Sequence, residues 1–462
     1  MSPGADAPRD RLARLGKKRL LLAIHDVSFP SDPDEDVGRG SPATRAAGRL
    51  FEYVRARGFT GIQLGPQGQT TRDNPSPYDG TIFSRNIGNI SLHSLRSLVG
   101  DASIERALYR GGPADPHHAY DAMHALVAEA YERITPALRE RLASFRTANA
   151  SWLESDALHA ALTEAHGGRG FREWPARDRD PRTAPAAGHE QAIERYAFGQ
   201  MLVHDEHARV RARCGLTLYG DLQVGYSDAD TWAHQRTFLD GWLLGAPPSR
   251  TNPAGQPWGY PVLDPANPAS RALIVARAEK AFADYDSLRI DHPHGLVCPW
   301  VYRAGEADPG HAVRAGSRLH ESPDVAALEP YAIARADQLD LAEARFADHW
   351  VRSLDSEQVE RYSTYIDEII ARARDELSCE VLSTMPTPLG AVLQRHGLGR
   401  WRVTQKANLD DPTDVYRTEH VAREDWLMLG NHDTAPILTV IAGWSSVRRE
   451  QWARHLVARL WL

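Results

Sequence analysis

The sequence of 462 residues predicts an α/β fold, namely a TIM-type (β/α) barrel with helical and loop insertions. Two observations favour this class. Apolar, strand-like segments alternate with helical segments, as in a parallel sheet with crossover helices. Several of these segments also end in a carboxylic acid, and the C-terminal ends of barrel strands are where this fold carries its functional sites. No Gly-x-Gly-x-x-Gly follows a predicted strand, which argues against an open dinucleotide-binding sheet.

The first part of the chain contains a β-helix-β unit. Residues 19–25 are continuously apolar, as in a strand buried on both faces. Residues 43–57 have helical spacing, and residues 59–64 form the next predicted strand. The crossover between these strands should be right-handed. From about 95 to 205 the patterns are helical without clear strands, which predicts a helical insertion.

The middle of the chain returns to the strand pattern. Residues 215–222 are a predicted strand with Asp221 near its end. The stretch 225–267 is rich in Trp, Pro and Gly and is predicted to form loops. A predicted helix at 268–283 leads to a short strand that ends in Asp291.

The last part of the chain adds a second insertion and the remaining strands. The insertion, at about 304–355, is acidic and Ala-rich. Three further strands are predicted, at residues 376–382, 401–405 and 426–433. We expect residues 1–18 to be a flexible tail and residues 19–462 to form a catalytic barrel, with its last strand missing.

Three of the predicted strands each present an acid: Asp291, Glu380 and Asp433. Retaining chemistry at a glycosidic bond needs a nucleophilic carboxylate and a second carboxyl roughly 5 Å away that donates and later removes a proton. A third acid can orient sugar hydroxyls. The alternative for Asp291 is a strand-end ion pair with Arg289. The repetition of the pattern on successive strands favours the catalytic interpretation.

Composition excludes several other classes of function. The formal net charge is -7 with acids and bases interspersed, unlike a nucleic-acid-binding surface. The three cysteines form neither a disulfide framework nor a zinc pattern, and the twenty histidines are scattered, so we expect no metal and no cofactor. No apolar run approaches the 18 or so residues of a membrane helix, and no secretory signal is visible. We therefore expect a cytoplasmic protein; its oligomeric state is not indicated.

Many short motifs resemble those of the amylomaltases, the 4-α-glucanotransferases of glycoside hydrolase family 77 and relatives of the α-amylases. The motifs occur in family order from about residue 19 to 445. They are Leu64-Gly65-Pro66, Ser76-Pro77-Tyr78, Ser151-Trp152-Leu153, Gly220-Asp221-Leu222, Asp230-Thr231-Trp232-Ala233, Gly245-Ala246-Pro247-Pro248, Gly255-Gln256-Pro257-Trp258-Gly259, Arg289-Ile290-Asp291-His292, Glu380-Val381-Leu382 and His432-Asp433.

The resemblance implies a role for each matching residue. Asp291 would be the nucleophile, Glu380 the general acid/base and Asp433 the transition-state stabiliser. Arg289 would hold Asp291 ionised. The remaining implied contacts with sugar or with neighbouring acids are Tyr78, Asp221, Trp258, His292 and His432. The implied reaction passes a glucan segment from a malto-oligosaccharide donor to the 4-hydroxyl of an acceptor sugar.

Four departures from the family pattern concern the acceptor side and the end of the chain. Pro293-His294-Gly295-Leu296 replaces the usual Phe-Arg-Gly-Phe, and Thr434-Ala435-Pro436 replaces Asn-Asp-Thr. The loop at 249–252 lacks the usual aromatic residue. The family's eighth strand and final Asn-Trp-x-Trp-Arg block are also missing before Leu462. An α-glucan hydrolase and a catalytically silent glucan-binding protein therefore stay open as alternatives.

Overall fold

A computed structural model describes residues 18–249 and 252–460; for residues 459 and 460 it describes the backbone alone. The predicted tail at residues 1–18 lies almost wholly outside the described residues, as do two residues of the predicted acceptor loop at 249–252. The chain divides into two compact units. Unit 1 comprises Met1–Asp240 and Leu263–Leu288, and unit 2 comprises Gly241–Val262 and Arg289–Leu462.

The strands of the described part are β1 (Leu21–Ile24), β2 (Gly61–Leu64), β3 (Thr217–Leu222), β4 (Phe238–Ala246), β5 (Gln256–Leu263), β6 (Ser287–Ile290), β7 (Trp300–Arg303), β8 (Ser317–Arg318), β9 (Ser378–Cys379), β10 (Trp401–Val403) and β11 (Trp426–Met428). The helices are α1 (Arg45–Ala56), α2 (Leu92–Val99), α3 (Asp101–Ala107), α4 (Pro116–Glu132), α5 (Pro136–Ala165), α6 (Ala176–Arg179), α7 (Glu190–Cys214), α8 (Asp228–Ala233), α9 (Pro268–Asp284), α10 (His294–Val297), α11 (Pro309–Arg314), α12 (Ser356–Ile370), α13 (Thr387–His396), α14 (Ile437–Ala442) and α15 (Ser446–Leu460).

Unit 1 is built on parallel strands. Strand β1 pairs with β2, and β2 pairs with β3, both in parallel register. All four residues of β2 are buried, including the polar Gln63, as in a strand covered on both faces. The backbone N–H of Asp286 donates to the carbonyl of Leu218 at 2.9 Å, so the start of β6 lies beside β3.

The helices of unit 1 begin and end at residues that satisfy their free backbone groups. Helix α1 begins after Thr44, whose hydroxyl accepts from the N–H of Ala47 at 3.0 Å. Helix α7 ends at Gly215, which has a φ of 61°, a left-handed conformation that favours glycine. Helix α8 begins with a capping box formed by Ser227 and Asp230.

Unit 2 continues the parallel pattern. Arg289 and Ile290 of β6 pair in parallel with Ser378 and Cys379 of β9. Strands β10 and β11 are also parallel neighbours. The seven strands predicted from the sequence thus correspond to β1, β2, β3, β6, β9, β10 and β11. All seven are shorter than predicted; for example, β9 ends before Glu380 and β11 ends before Asp433.

The prediction of loops throughout residues 225–267 is wrong. This stretch contains the long strands β4 and β5. Together with β7 and β8 they form a sheet in the order β5-β4-β7-β8. Strand β4 pairs antiparallel with β7, and the guanidinium of Arg303 lies 4.0 Å from the centre of the Trp242 ring. The tryptophans that suggested a loop therefore include one that makes a cross-strand contact.

In a TIM-type fold, parallel strands alternate with helices along the chain, as they do here. Within the described residues, no helix is long and apolar enough to cross a membrane.

Candidate active site

The parallel register of β6 and β9 brings two acids together in unit 2. Ile290 lies opposite Cys379, so the next residues, Asp291 and Glu380, leave the two strands side by side. The N–H of Glu380 donates to the carbonyl of Ile290 at 2.9 Å and extends the ladder by one step. Carboxyl oxygens of Asp291 and Glu380 lie within 4.8 Å of each other. This spacing suits a retaining pair, because inverting acids stand roughly 6.5–9.5 Å apart.

Arg289 lies between the two acids. It points to the same face of β6 as Asp291, because side chains two residues apart on a strand share a face. Its Nη2 donates to Oδ1 of Asp291 at 2.8 Å and also to Oε2 of Glu380. All three side chains are buried, so the guanidinium compensates the charge of a pair that water does not reach.

The two carboxyls have opposite shifts in pKa. Burial would raise the pKa of Asp291, but the positive charges of Arg289 and His292 hold it well below its usual range. Burial raises the pKa of Glu380 to about 8; Arg289 and His292 lower it, and the charge of Asp291 raises it. At neutral pH the pair therefore consists of one carboxylate and one carboxylic acid, the division of roles that acid-assisted displacement needs.

His292 follows the nucleophile candidate and contacts both acids. Its Nδ1 lies 3.1 Å from Oδ1 of Asp291 and 3.5 Å from Oε2 of Glu380. Burial lowers the pKa of His292, but the charge of Asp291 and the hydrogen bond to it outweigh this and raise the pKa to about 9. The half-buried Trp258 packs against it, with ring centres 5.2 Å apart.

The third predicted acid is also near this pair. Single polar atoms of Glu380, His432 and Asp433 all lie within 4.8 Å of one another. The Nε2 of His432 lies 3.3 Å from Oδ1 of Asp433, and Asn431 donates to the other oxygen at 3.2 Å. The Asp433 side chain is about half exposed, unlike the buried Asp291 and Glu380. Unit 2 thus contains seven of the nine predicted site residues.

The other two predicted site residues, Tyr78 and Asp221, belong to unit 1. The Tyr78 hydroxyl is 3.4 Å from Nε2 of His25, and the two rings are tilted with centres 5.8 Å apart. The side-chain amide of Gln63 donates to Asp221 at 3.5 Å. Gln63 lies on β2, and His25 directly follows β1 in the same parallel sheet. Their positions on or next to these strands were the signal from which the sequence could have indicated them as neighbours of the site residues.

Sequence reasoning missed the support beneath Arg289. The Trp401 ring lies 4.9 Å from the guanidinium carbon, and its Nε1–H donates to Oγ of Ser378 at 2.6 Å. Such a cation–π contact favours the charged side chain in a buried place. Trp401 and Ser378 begin strands β10 and β9, but nothing in their local sequence marks them as partners of Arg289.

Among the described residues of unit 2, two groups have ligand atoms spaced closely enough for a cation. They are Asp291 with His292 and Glu380, and Glu380 with His432 and Asp433. The guanidinium of Arg289 already supplies positive charge to Asp291 and Glu380. Displacement at an acetal carbon with an acid pair needs no metal.

The fold and the acid pair together define a class: TIM-type α/β proteins with paired carboxylates at the ends of neighbouring parallel strands. Within that class, the chain belongs to the 4-alpha-glucanotransferase family, glycoside hydrolase family 77, whose family model matches residues 24–461.

Similar curated proteins come from bacteria and plants. A 4-alpha-glucanotransferase of Thermus thermophilus is 30% identical over 302 residues, which cover 60% of this chain and 59% of that protein. A chloroplastic/amyloplastic 4-alpha-glucanotransferase of Oryza sativa is 30% identical over 268 residues, covering 52% and 44%. That of Solanum tuberosum is 27% identical over 319 residues, covering 63% and 54%. The matched part is thus about half the length of these relatives.

Solved structures have the same fold. An amylomaltase from Streptococcus agalactiae, in complex with acarbose, superposes with a TM-score of 0.76 at 16% identity, covering 96% of this chain and 85% of that one. An amylomaltase from Corynebacterium glutamicum gives a TM-score of 0.67 at 17% identity, covering 95% and 57%. The TIM-type α/β fold predicted from the sequence is confirmed.

Proposed function

We propose that this chain is a 4-alpha-glucanotransferase that cleaves an α-1,4-glucan and passes the released segment to the 4-hydroxyl of an acceptor sugar. The carrying observation is the buried pair of Asp291 and Glu380, with carboxyl oxygens within 4.8 Å and Arg289 between them. Membership in the 4-alpha-glucanotransferase family and the names of the similar curated proteins support this choice of reaction.

In the first step, a carboxylate oxygen of Asp291 attacks the anomeric carbon of the donor glucan. Glu380 gives its proton to the departing glycosidic oxygen, so the leaving sugar departs as an alcohol. A covalent glycosyl-enzyme remains on Asp291. The low pKa of Asp291 and the raised pKa of Glu380 set both groups in the protonation state that this step needs.

In the second step, Glu380, now a carboxylate, removes the proton of the acceptor hydroxyl. The acceptor oxygen displaces Asp291, and the double displacement retains the configuration at the anomeric carbon. We assign Asp433 to stabilise positive charge at that carbon. Sugar contacts are assigned to Tyr78, Asp221, Trp258, His292 and His432, with Trp258 offering an aromatic face.

Transfer rather than hydrolysis requires that an acceptor sugar reaches the glycosyl-enzyme before water does. The similar curated proteins carry the name of a transferase, which favours a sugar acceptor here. A malto-oligosaccharide would then serve as both donor and acceptor.

The test is to incubate the full chain with maltotriose and to resolve the products by size. We expect glucose together with oligomers longer than maltotriose. Asp291→Asn should reduce product formation by roughly 10³-fold or more, because the amide cannot form the glycosyl ester. Asp410→Asn removes an exposed acid of unit 2 and serves as the matched control with unchanged products.

Other outcomes contradict the proposal in distinct ways. Glucose and maltose alone would identify a hydrolase. No product from wild-type protein with a normal cooperative unfolding transition would identify a silent glucan-binding protein. Full activity in Asp291→Asn would exclude this residue as the nucleophile.

A further inference from the structure

His292 differs from the other residues in its backbone conformation. Among the described residues it is the one non-glycine residue with positive φ, at 39°. This conformation is strained for an L-residue and persists where surrounding structure enforces it, often at functional sites. Here the carbonyl of His292 accepts from the N–H of Gly295 at 2.9 Å, and that of Pro293 accepts from the N–H of Val297 at 3.0 Å. A tight turn into α10 therefore fixes the backbone.

The turn directs one ring nitrogen to both members of the acid pair. Nδ1 of His292 lies 3.1 Å from Asp291 and 3.5 Å from Glu380. Trp258 meets the imidazole at an interplanar angle of 76°, which restricts the orientation of the ring. A single N–H on this nitrogen can therefore be donated to either acid with little movement.

The charges around the imidazole favour its protonated form. Burial and the charge of Arg289 oppose a proton on it, but the carboxylate of Asp291 attracts one, as Glu380 does whenever it is ionised. The imidazole of His294 has its ring centre 6.3 Å away. Burial lowers the pKa of His294 to about 3, so it adds no charge at neutral pH.

We propose that His292 is a positioning residue, an imidazolium whose Nδ1–H is donated to Asp291 before glycosyl transfer and to Glu380 in the glycosyl-enzyme. The inference rests on the proposed function and adds a role to it. It assigns His292 to the acid pair, where the sequence had suggested a sugar contact.

The exchange of hydrogen bonds follows from the changes in charge. When Asp291 bonds to the anomeric carbon and the glycosidic C–O bond breaks, Glu380 loses its proton to the leaving oxygen. Asp291 is then an uncharged ester and Glu380 a carboxylate, so the stronger acceptor has changed sides. When the acceptor oxygen displaces Asp291 and its proton passes to Glu380, the hydrogen bond returns. His292 keeps its own proton throughout.

A titration of the full chain by NMR tests the charge directly. With ¹³C at Cε1 of its histidines, the signal of His292 is the one absent from His292→Asn. We expect the shift of an imidazolium at pH 7.5, and a midpoint lowered by about one pH unit or more in Asp291→Asn. A neutral imidazole at pH 7.5 would overturn the proposal. This measurement needs no turnover, so it decides the charge of His292 even if the chain proves to have no transferase activity.

The pH profile of kcat/KM for maltotriose tests the coupling to the reaction. Asn tolerates positive φ and keeps an N–H donor but carries no charge, so His292→Asn removes mainly the charge. Without that cation the pKa of Glu380 rises, and the basic limb of the profile should move up by about one pH unit. His294→Asn is the matched control and should leave the limb in place. If His292 has only a structural role, His292→Asn lowers kcat/KM but leaves the basic limb of the pH profile in place. That result would contradict the proposal.

Discussion

At the scale of single residues, the difference between Asp291 and Glu380 arises from their surroundings rather than from their chemistry. Both are buried carboxyls that contact Arg289. The position of Glu380 raises its pKa to about 8, foremost through burial, while the cations around Asp291 prevail there. One arginine thus contacts two carboxyls whose pKa values differ widely. The reaction requires this difference, because one carboxyl donates a proton while the other attacks as a carboxylate.

Glu380→Gln should separate the two steps of the reaction. Glutamine keeps the size of the side chain but neither donates nor removes a proton. With maltotriose we expect kcat/KM to fall by roughly 10²–10⁴-fold. With α-maltosyl fluoride, whose leaving group needs no proton, glycosyl transfer to Asp291 should stay within about tenfold of wild type. Stopped-flow measurement of fluoride release gives the rate of that step.

Glu376→Gln provides the matched control, because this exposed acid precedes the same strand. It should leave both rates at the wild-type level. Equal losses on maltotriose and on the fluoride in Glu380→Gln would mean that Glu380 does not act as the acid.

The sequence carried the identities of the candidate acids but not their environment. Asp291 and Glu380 were recognisable because Asp291 was predicted at the end of one short strand and Glu380 within another, otherwise apolar strand. The positive φ of His292 and the Trp401 ring beneath Arg289 were not, because both depend on parts of the chain far apart in sequence. Asp433 was placed in a strand, whereas β11 ends at Met428 and the acid follows in the turn.

At the scale of elements, local patterns predicted helices and parallel strands well. Helix α9 was expected at 268–283 and occupies Pro268–Asp284, since a proline at its start and helical spacing mark it locally. Strands β4 and β5 were missed because Pro and Gly are typical of loops. Strand β4 is fixed by antiparallel pairing with distant residues, for example Trp242 with Arg303, and β5 is its neighbour on the other side of the same sheet. A short segment of sequence gives little indication of such pairing.

A buried acid in α5 gives a prediction about stability. Burial, and after it the charge of Asp230, raises the pKa of Asp156 to about 8, and the Ser84 hydroxyl donates to Asp156 at 2.6 Å. The folded state therefore holds a proton that the unfolded state loses above about pH 4, and stability declines as pH rises toward 8. Asp156→Asn should remove this decline, so its advantage over wild type grows by up to about 1.4 kcal/mol per pH unit. Urea unfolding at pH 5, 6.5 and 8 measures it.

Glu140→Gln, an exposed position of the same helix, should show the pH dependence of the wild type. If Asp156→Asn keeps the wild-type slope between pH 5 and 8, Asp156 is ionised in the folded protein and the prediction is wrong.

At the scale of the whole molecule, two sets of buried groups act on stability in opposite directions. Within the part of the chain that the structure describes, burial is the foremost cause that raises the pKa of five carboxyls and lowers the pKa of seven histidines. The carboxyls are Asp26, Asp156, Asp230, Glu321 and Glu380. The histidines are His124, His159, His204, His207, His234, His294 and His320. Compared with the unfolded chain, the folded protein therefore holds protons more firmly on the first set and less firmly on the second.

The signs of these two contributions predict a stability maximum at about pH 6. Below pH 6.5 the unfolded chain gains protons on the histidines, which remain neutral when folded, so stability falls as the pH falls. Above pH 6.5 these seven histidines are neutral in both states, so the slope is set by His292, whose pKa is raised to about 9, and by the five carboxyls. Their protons are held by the folded state alone, so stability falls as the pH rises toward 8. Urea unfolding from pH 4.5 to 8.5 should give a free energy that declines on both sides of the maximum. A free energy of unfolding that stays level or rises between pH 6.5 and 8.5 would mean that the buried carboxyls are ionised in the folded protein. In that case the free energy of unfolding of Asp156→Asn would have the same pH dependence as that of the wild type.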